Sequence, residues 1–205
     1  MKIALISGAF FPTAGGAQVQ NHNIANKLVE KGIDVELFIF NKTNIKNNKY
    51  NIIIFNKFLL NIIYFFKYFL NLDFSFLLKS YISSLIKKFK FDVWHFSFLN
   101  FKSLILINIL KKYNQKIIVS FHGADIQIDR SINYGYRLNK KYDFLLKNTL
   151  KQIDKFTYIS DTIKKDLLAL GVHKDKLIYF PNSVNIEKFE KCSLSKLRKN
   201  KVLNL

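Results

Sequence analysis

Short apolar runs alternate with stretches of helical spacing along most of the chain. Residues 2–7 form a continuous apolar run closed by Gly8, the pattern of a strand buried on both faces. After a loop with Pro12, Gly15 and Gly16, residues 17–31 place Val19, Ile24, Leu28 and Val29 near helical spacing and stop at Gly32. The same reading predicts strands over 33–40, 92–98, 116–121, 155–160 and 177–180, and helices over 99–113, 138–153 and 161–170. Residues 41–51 read as a polar turn, and 58–89 as one or two very apolar helices with a lysine fringe. Strands alternating with helices, mostly through short connections, predict an α/β fold, a Rossmann-like parallel sheet with helices on both faces.

In such a sheet ligands bind beyond the carboxyl ends of the strands. The loops 8–16 and 122–125 both follow predicted strand ends, so they are expected on one rim. Gly15 and Gly16 precede a helix N-terminus, where free N–H groups attract phosphate. The pattern is neither G-x-G-x-x-G nor a P-loop, and taken alone a glycine pair there is more often a turn device. His122 beside Gly123, with Asp125 three residues on, suits a hydrogen-bond donor or proton shuttle. The competing reading is a histidine satisfied by local backbone, with Asp125 as an N-cap. His22, His95 and His173 show no metal-ligand spacing with it, so no metal site is expected.

The chain has 205 residues, 49% hydrophobic and 23% charged, a globular composition long enough for a sizeable core. A lone cysteine, Cys192, excludes a disulfide framework and a thiolate zinc site and fits a reducing, cytoplasmic compartment. The net charge of +19 raises nucleic-acid binding, but only Arg130, Arg137 and Arg198 are arginines among 33 basic residues. Phosphate and base recognition leans on bidentate arginine, so that class ranks last. The charge does favour anionic surfaces, membranes included. The apolar start reads as a buried strand rather than a signal peptide. Between Lys57 and Lys67 lie nine uncharged residues, too few to span a bilayer. Ile62, Phe65, Phe66, Phe69 and Leu70 recur at helical spacing beside lysines, which suits either a helix lying on an anionic membrane or one covering the core.

Several segments together resemble the N-terminal domain of a GT-B glycosyltransferase of family 4. They are Lys2-Ile-Ala-Leu-Ile through Phe11-Pro12 to Gly15-Gly16-Ala17-Gln18, Lys31-Gly32-Ile33-Asp34-Val35, Asp92-Val93-Trp94-His95, and Ser120-Phe121-His122-Gly123-Ala124-Asp125. Tyr158-Ile159-Ser160 and the stretch from Pro181-Asn182-Ser183-Val184 to Phe189 complete the set. Gln18 stands in place of a usual Glu and Gln20 of a frequent His, while Ser183 and Asn185 replace a common Gly and Asp.

The resemblance implies retaining, metal-independent hexosyl transfer from a nucleotide-sugar to a glycan or lipid-linked acceptor, with no cofactor. It places Gly15 and Gly16 at the donor diphosphate and His122 at the transferred sugar. It puts Gln18, Asp125 and Ser160 on the acceptor or sugar side, and Asn182 at a domain interface. Residues 1–185 correspond to the acceptor-side domain, and 186–205 to a linker and the start of a donor-binding domain. The family's second domain carries a Glu-x7-Glu pair, and the glutamates here, at 30, 36, 187 and 190, include no such pair. The expectation is an acceptor half with little activity alone, whose partners are a separate C-terminal half and, at the inner face, an anionic membrane. A non-catalytic glycan- or membrane-binding module derived from such an enzyme is the alternative.

Overall fold

The structure, a computed structural model, describes residues 1–8, 15–40, 43, 48–70 and 72–182. The expected loop 9–14, the linker motif from Ser183 onward and the stretch 186–205 lie outside the described residues. Seven strands form one parallel sheet: β1 (Lys2–Ser7), β2 (Asp34–Ile39), β3 (Asn51–Ile54), β4 (Val93–Phe96), β5 (Ile117–Phe121), β6 (Lys155–Tyr158) and β7 (Leu177–Tyr179). Their order is β3-β2-β1-β4-β5-β6-β7. The helices are α1 (Gly16–Glu30), α2 (Lys57–Phe69), α3 (Phe76–Phe89), α4 (Phe101–Lys112), α5 (Lys140–Leu150) and α6 (Asp161–Ala169).

The sequence pattern locates every strand except β3. Its run Asn51-Ile-Ile-Ile merges into the apolar stretch that follows, so alternation does not separate strand from helix. Pairing decides it: Ile52, Ile53 and Ile54 align with Leu37, Phe38 and Ile39 of β2. The long apolar region divides into α2 and α3, with Asn56 capping the first by accepting from the Leu59 amide.

Alternate strand positions sort into two packing layers, as a period of two requires. Ala4, Ile6, Phe38, Trp94, Phe96, Val119, Phe121 and Phe156 meet side chains of α2 to α6. Leu5, Val35, Leu37 and Ile39 meet Ala25, Leu28 and Val29 of α1. Chain direction explains this five-to-one division. From β3 onward the crossovers move one way across the sheet, and right-handed connections then fall on one face. The step from β1 to β2 runs the opposite way and puts α1 on the other. The strand order therefore reverses between β1 and β4, and a crevice opens beyond their carboxyl ends.

Candidate active site

At that reversal β1 ends in buried Ser7 and Gly8. A Cβ at Gly8 would stand 2.6 Å from Asn100 Nδ2, so only glycine lets the strand end pass the Asn100 side chain. Asn100 is itself fixed as the N-cap of α4, its Oδ1 accepting from the Ser103 amide at 3.0 Å. Across the crevice Gly15 caps α1 in an extended conformation, and its amide donates to Gln18 Oε1 at 2.9 Å. That donor is therefore engaged within the protein. Gly16 differs: a Cβ there would meet nothing within 4 Å, so neither packing nor backbone conformation demands a glycine. No acidic residue occupies the first turn of α1, which leaves the positive end of the helix dipole uncompensated.

One residue beneath this turn is incompletely satisfied. Asn21 is 2% exposed and its Nδ2 donates to Ser7 Oγ at 2.9 Å, but its Oδ1 has no hydrogen-bond partner among the described residues. An orphaned buried acceptor is uncommon and costs about 1–3 kcal/mol. Asn21 lines a crevice of about 350 Å³ together with Ser7, Gly8, Gly16, Gln18, Asn100 and Tyr136. A larger cavity of about 640 Å³ adjoins it and shares Gly8, Asn100 and Tyr136, while Tyr64, Tyr68 and Phe101 form its aromatic wall. Sequence reasoning missed Asn21, Asn100 and the tyrosines. The only signal was Asn100 ahead of an apolar helix, a capping cue rather than a site motif.

The loop after β5 is organised differently. Asp125 is fully buried, and its Oδ1 accepts from the amides of His122 at 3.2 Å and Gly123 at 3.0 Å. Its Oδ2 accepts from the Leu99 amide at 3.3 Å, which ties the loop after β4 to the loop after β5. The hydroxyl of Tyr142 lies 3.1 Å from the Leu99 carbonyl and 3.0 Å from that of Asp125, either of which can accept its proton. Burial pushes the Asp125 carboxyl up to about 6, against the pull of the amides. Gly123, at φ +140, could not carry a side chain without meeting the Tyr134 hydroxyl at 2.7 Å.

His122 is half-buried at the end of β5. Burial holds its imidazole below the usual range, opposed by a hydrogen bond to the Ser97 backbone, so near neutral pH the ring is uncharged. Behind it His95 is held down to about 4 by burial and by proximity to His122, and its Nε2 lies 2.7 Å from Ser120 Oγ.

The fold brings Gly16 and Gln18 to one crevice, which Gly15 does not line. His122, Asp125, Ser160 and Asn182 line neither cavity, although all follow carboxyl ends of strands. Ser160 accepts from the Ile163 amide as the N-cap of α6, and Asn182 is exposed beyond β7. Among the described residues no group of three or more His, Cys, Asp or Glu could hold a metal ion.

Residues 14–188 match the family model of Glycosyltransferase Family 4. Among solved structures, Anabaena HepE in complex with UDP and glucose superposes with a TM-score of 0.68 at 13% identity, covering 97% of this chain and 49% of that one. The lipopolysaccharide outer core galactosyltransferase WaaB in its apo form gives 0.54 at 19% identity over 91% of this chain and 47% of its own. UDP-GlcNAc 2-epimerase from Methanocaldococcus jannaschii gives 0.54 at 16% identity, over 89% and 46% respectively. At these identities the likeness is one of fold, and the chain spans about half the length of these three structures. No curated protein matches the sequence.

Proposed function

The chain belongs to glycosyltransferase family 4, and from that membership we propose that it is the acceptor-side half of an enzyme moving a hexosyl group from a nucleotide-sugar to a glycan or lipid-linked acceptor. The observation that carries this reading is the crevice at the sheet reversal. A bare Gly16, an uncompensated helix N-terminus and an orphaned Asn21 carbonyl together suit a diphosphate and an adjoining hydroxyl. HepE was solved with UDP and glucose, which supports a nucleotide-sugar as the donor here.

The proposed reaction breaks the bond between the anomeric carbon and the diphosphate oxygen, which leaves with the electron pair. The acceptor hydroxyl forms the new bond and gives its proton to the departing phosphate. The proposed course is retaining and metal-independent, as the family resemblance implies, and the α1 N-terminus contributes part of the charge stabilisation. His122, neutral at physiological pH, donates a hydrogen bond to the transferred sugar, and Asp125 acts through it by holding its loop. A second domain like the unmatched half of the neighbouring structures completes the donor site, so the 205 residues alone turn over slowly or not at all.

The test uses the chain assembled with such a donor half. We expect His122→Ala and Gly16→Val each to lower transfer by about a hundredfold or more, with circular dichroism unchanged. Full activity in both variants would remove the site assignment. Because an epimerase shares the fold, product analysis must show glycoside bond formation rather than an inverted free sugar-nucleotide.

A specific observation also favours work at the cytoplasmic face of a membrane. Phe65, Phe69, Leu70, Leu72 and Phe76 are all about half exposed or more around the α2–α3 corner, and Phe58 is exposed at the start of α2, in a protein with net charge +19. No helix among the described residues is long and apolar enough to cross a membrane. Attachment is therefore proposed as peripheral. Co-sedimentation with phosphatidylglycerol vesicles should fall at least about tenfold in Phe65→Ser/Phe69→Ser, and binding should weaken with salt. Equal binding to neutral vesicles at all salt concentrations would remove the electrostatic part.

A further inference from the structure

We propose that the pocket between the turn before α5 and the outer face of that helix binds a small organic anion, a phosphate or carboxylate carried on an apolar body. The pocket holds about 500 Å³, within the range of about 300–1,000 Å³ usual for small-molecule sites. Among the described residues it shares no lining with the crevice and only Leu138 with the aromatic cavity. It therefore lies outside the proposed transfer site.

Four cations, Arg130, Arg137, Lys140 and Lys147, face one carboxylate, Asp143, among the described lining residues. The use of arginine here is specific. The chain takes lysine at nearly all its 33 basic positions and has three arginines, yet two of the three line this one pocket. A general excess of positive charge would place lysine here as elsewhere. What arginine adds is a planar fork that pairs bidentately with a carboxylate or phosphate. Arg137 is preorganised for that role: Nε donates to Asp143 Oδ1 at 2.7 Å and Nη1 to the Ile126 carbonyl at 2.9 Å. These bonds engage two of its five donors, and the others have no partner among the described residues. Lys147 Nζ meets the second oxygen of Asp143 at 2.7 Å, so that carboxylate is already held from both sides. Arg130 and Lys140 make no hydrogen bond or ion pair among the described residues.

The body of the occupant follows from the rest of the wall. Phe144 lines the pocket while 70% exposed and Ile128 while 39% exposed, so both have apolar surface to bury against a ligand. No Ser, Thr, Asn, Gln, His or Tyr is among the described lining residues. The crevice at the sheet reversal, by contrast, is lined by Ser7, Gln18, Asn21 and Asn100. A hydroxyl-rich body would find no neutral hydrogen-bonding side chain in the outer pocket, which disfavours a saccharide and favours an aryl or short alkyl group.

The experiment is NMR of the 205-residue chain labelled at phenylalanine rings and arginine Nε–H groups, titrated with phenyl phosphate, benzoate, inorganic phosphate and benzyl alcohol. We expect phenyl phosphate or benzoate to shift the Phe144 and Arg137 signals at millimolar concentration. Inorganic phosphate should need about tenfold more, and benzyl alcohol should leave both signals in place. Arg130→Gln and Phe144→Ser alter exposed side chains, so the fold should survive both. The first should weaken phenyl phosphate about tenfold, and the second should reduce it to the affinity of inorganic phosphate. Equal binding of phenyl and inorganic phosphate to the wild type, or an affinity unchanged in Arg130→Gln, would mean diffuse attraction to a chain of net charge +19 and would overturn the site. Signals that move with phosphatidylglycerol vesicles but with no small anion would make this surface a membrane contact and overturn it too, as would no shift with any probe. No sugar donor or acceptor enters the titration, so its outcome is independent of the transferase reading.

Discussion

The two loops that flank the sheet reversal are built on opposite plans. The turn into α1 is open among the described residues: a Cβ at Gly16 would meet nothing within 4 Å, Asn21 lacks a partner for its side-chain carbonyl, and the first turn of the helix holds no carboxylate. The loop after β5 is closed upon itself, with Asp125 gathering three backbone amides from two connections in a fully buried position. Both carry residues that resemble a family motif. The difference teaches that one loop leaves a polar group unpartnered among the described residues, while the other spends its polar groups on holding its own form.

The largest test of that contrast is Asp125→Ala. Two buried N–H donors and a half-buried third would lose their acceptor, at about 1–3 kcal/mol for each buried one, so we expect a loss of about 3 kcal/mol in a chemical melt. Wild-type stability in this variant would mean that the loop is not held by its carboxylate.

A second effect, of about 3 kcal/mol, is read from pH. The folded state gives up the His95 proton at about 4, whereas the unfolded chain holds it to about 6.5. Wild type should therefore gain stability relative to His95→Gln as pH rises from 4 to 6.5, with no further change above. Asp125 acts with the opposite sign, because the folded state keeps its proton up to about 6 and loses stability as pH rises from the unfolded value. The two contributions overlap, so the wild-type profile should be flatter than that of either single variant, Asp125→Asn included. A difference curve for His95→Gln that stays level across the window would remove the buried-histidine account.

The smallest effect on the fold and a large one on binding are expected together at the open loop. Gly16→Val should change stability by no more than about 0.5 kcal/mol, since a Cβ there meets nothing within 4 Å among the described residues. The same variant should abolish any diphosphate contact at the crevice, measured by nucleotide-sugar titration of the assembled enzyme. A strongly destabilised Gly16→Val would show that the glycine serves the fold after all, and the contrast between the loops would disappear.

Much of this was legible in the residues. Six of the seven strands and the helical stretches follow from periodicity, because each element must turn apolar side chains toward its own layer. Gly16, Gln18, His122 and Asp125 were found through local motifs, since backbone approach and short-range capping leave marks within a few positions. Strand β3 was not, because an isoleucine run serves edge strand and helix equally until β2 offers it a partner. Nor were Tyr64, Tyr68, Asn100 and Tyr136, which converge from α2, the start of α4 and the turn before α5. Their spacing in the chain records each one's own helix or cap and nothing of the cavity they share. What the sequence by itself determined was the parallel α/β layering, the order of its elements and the two motif loops, because these depend on local pattern. Which loop is open, which is sealed, and where a larger cavity adjoins them came only from the tertiary structure, since burial and unpaired polar groups are properties of distant segments brought together.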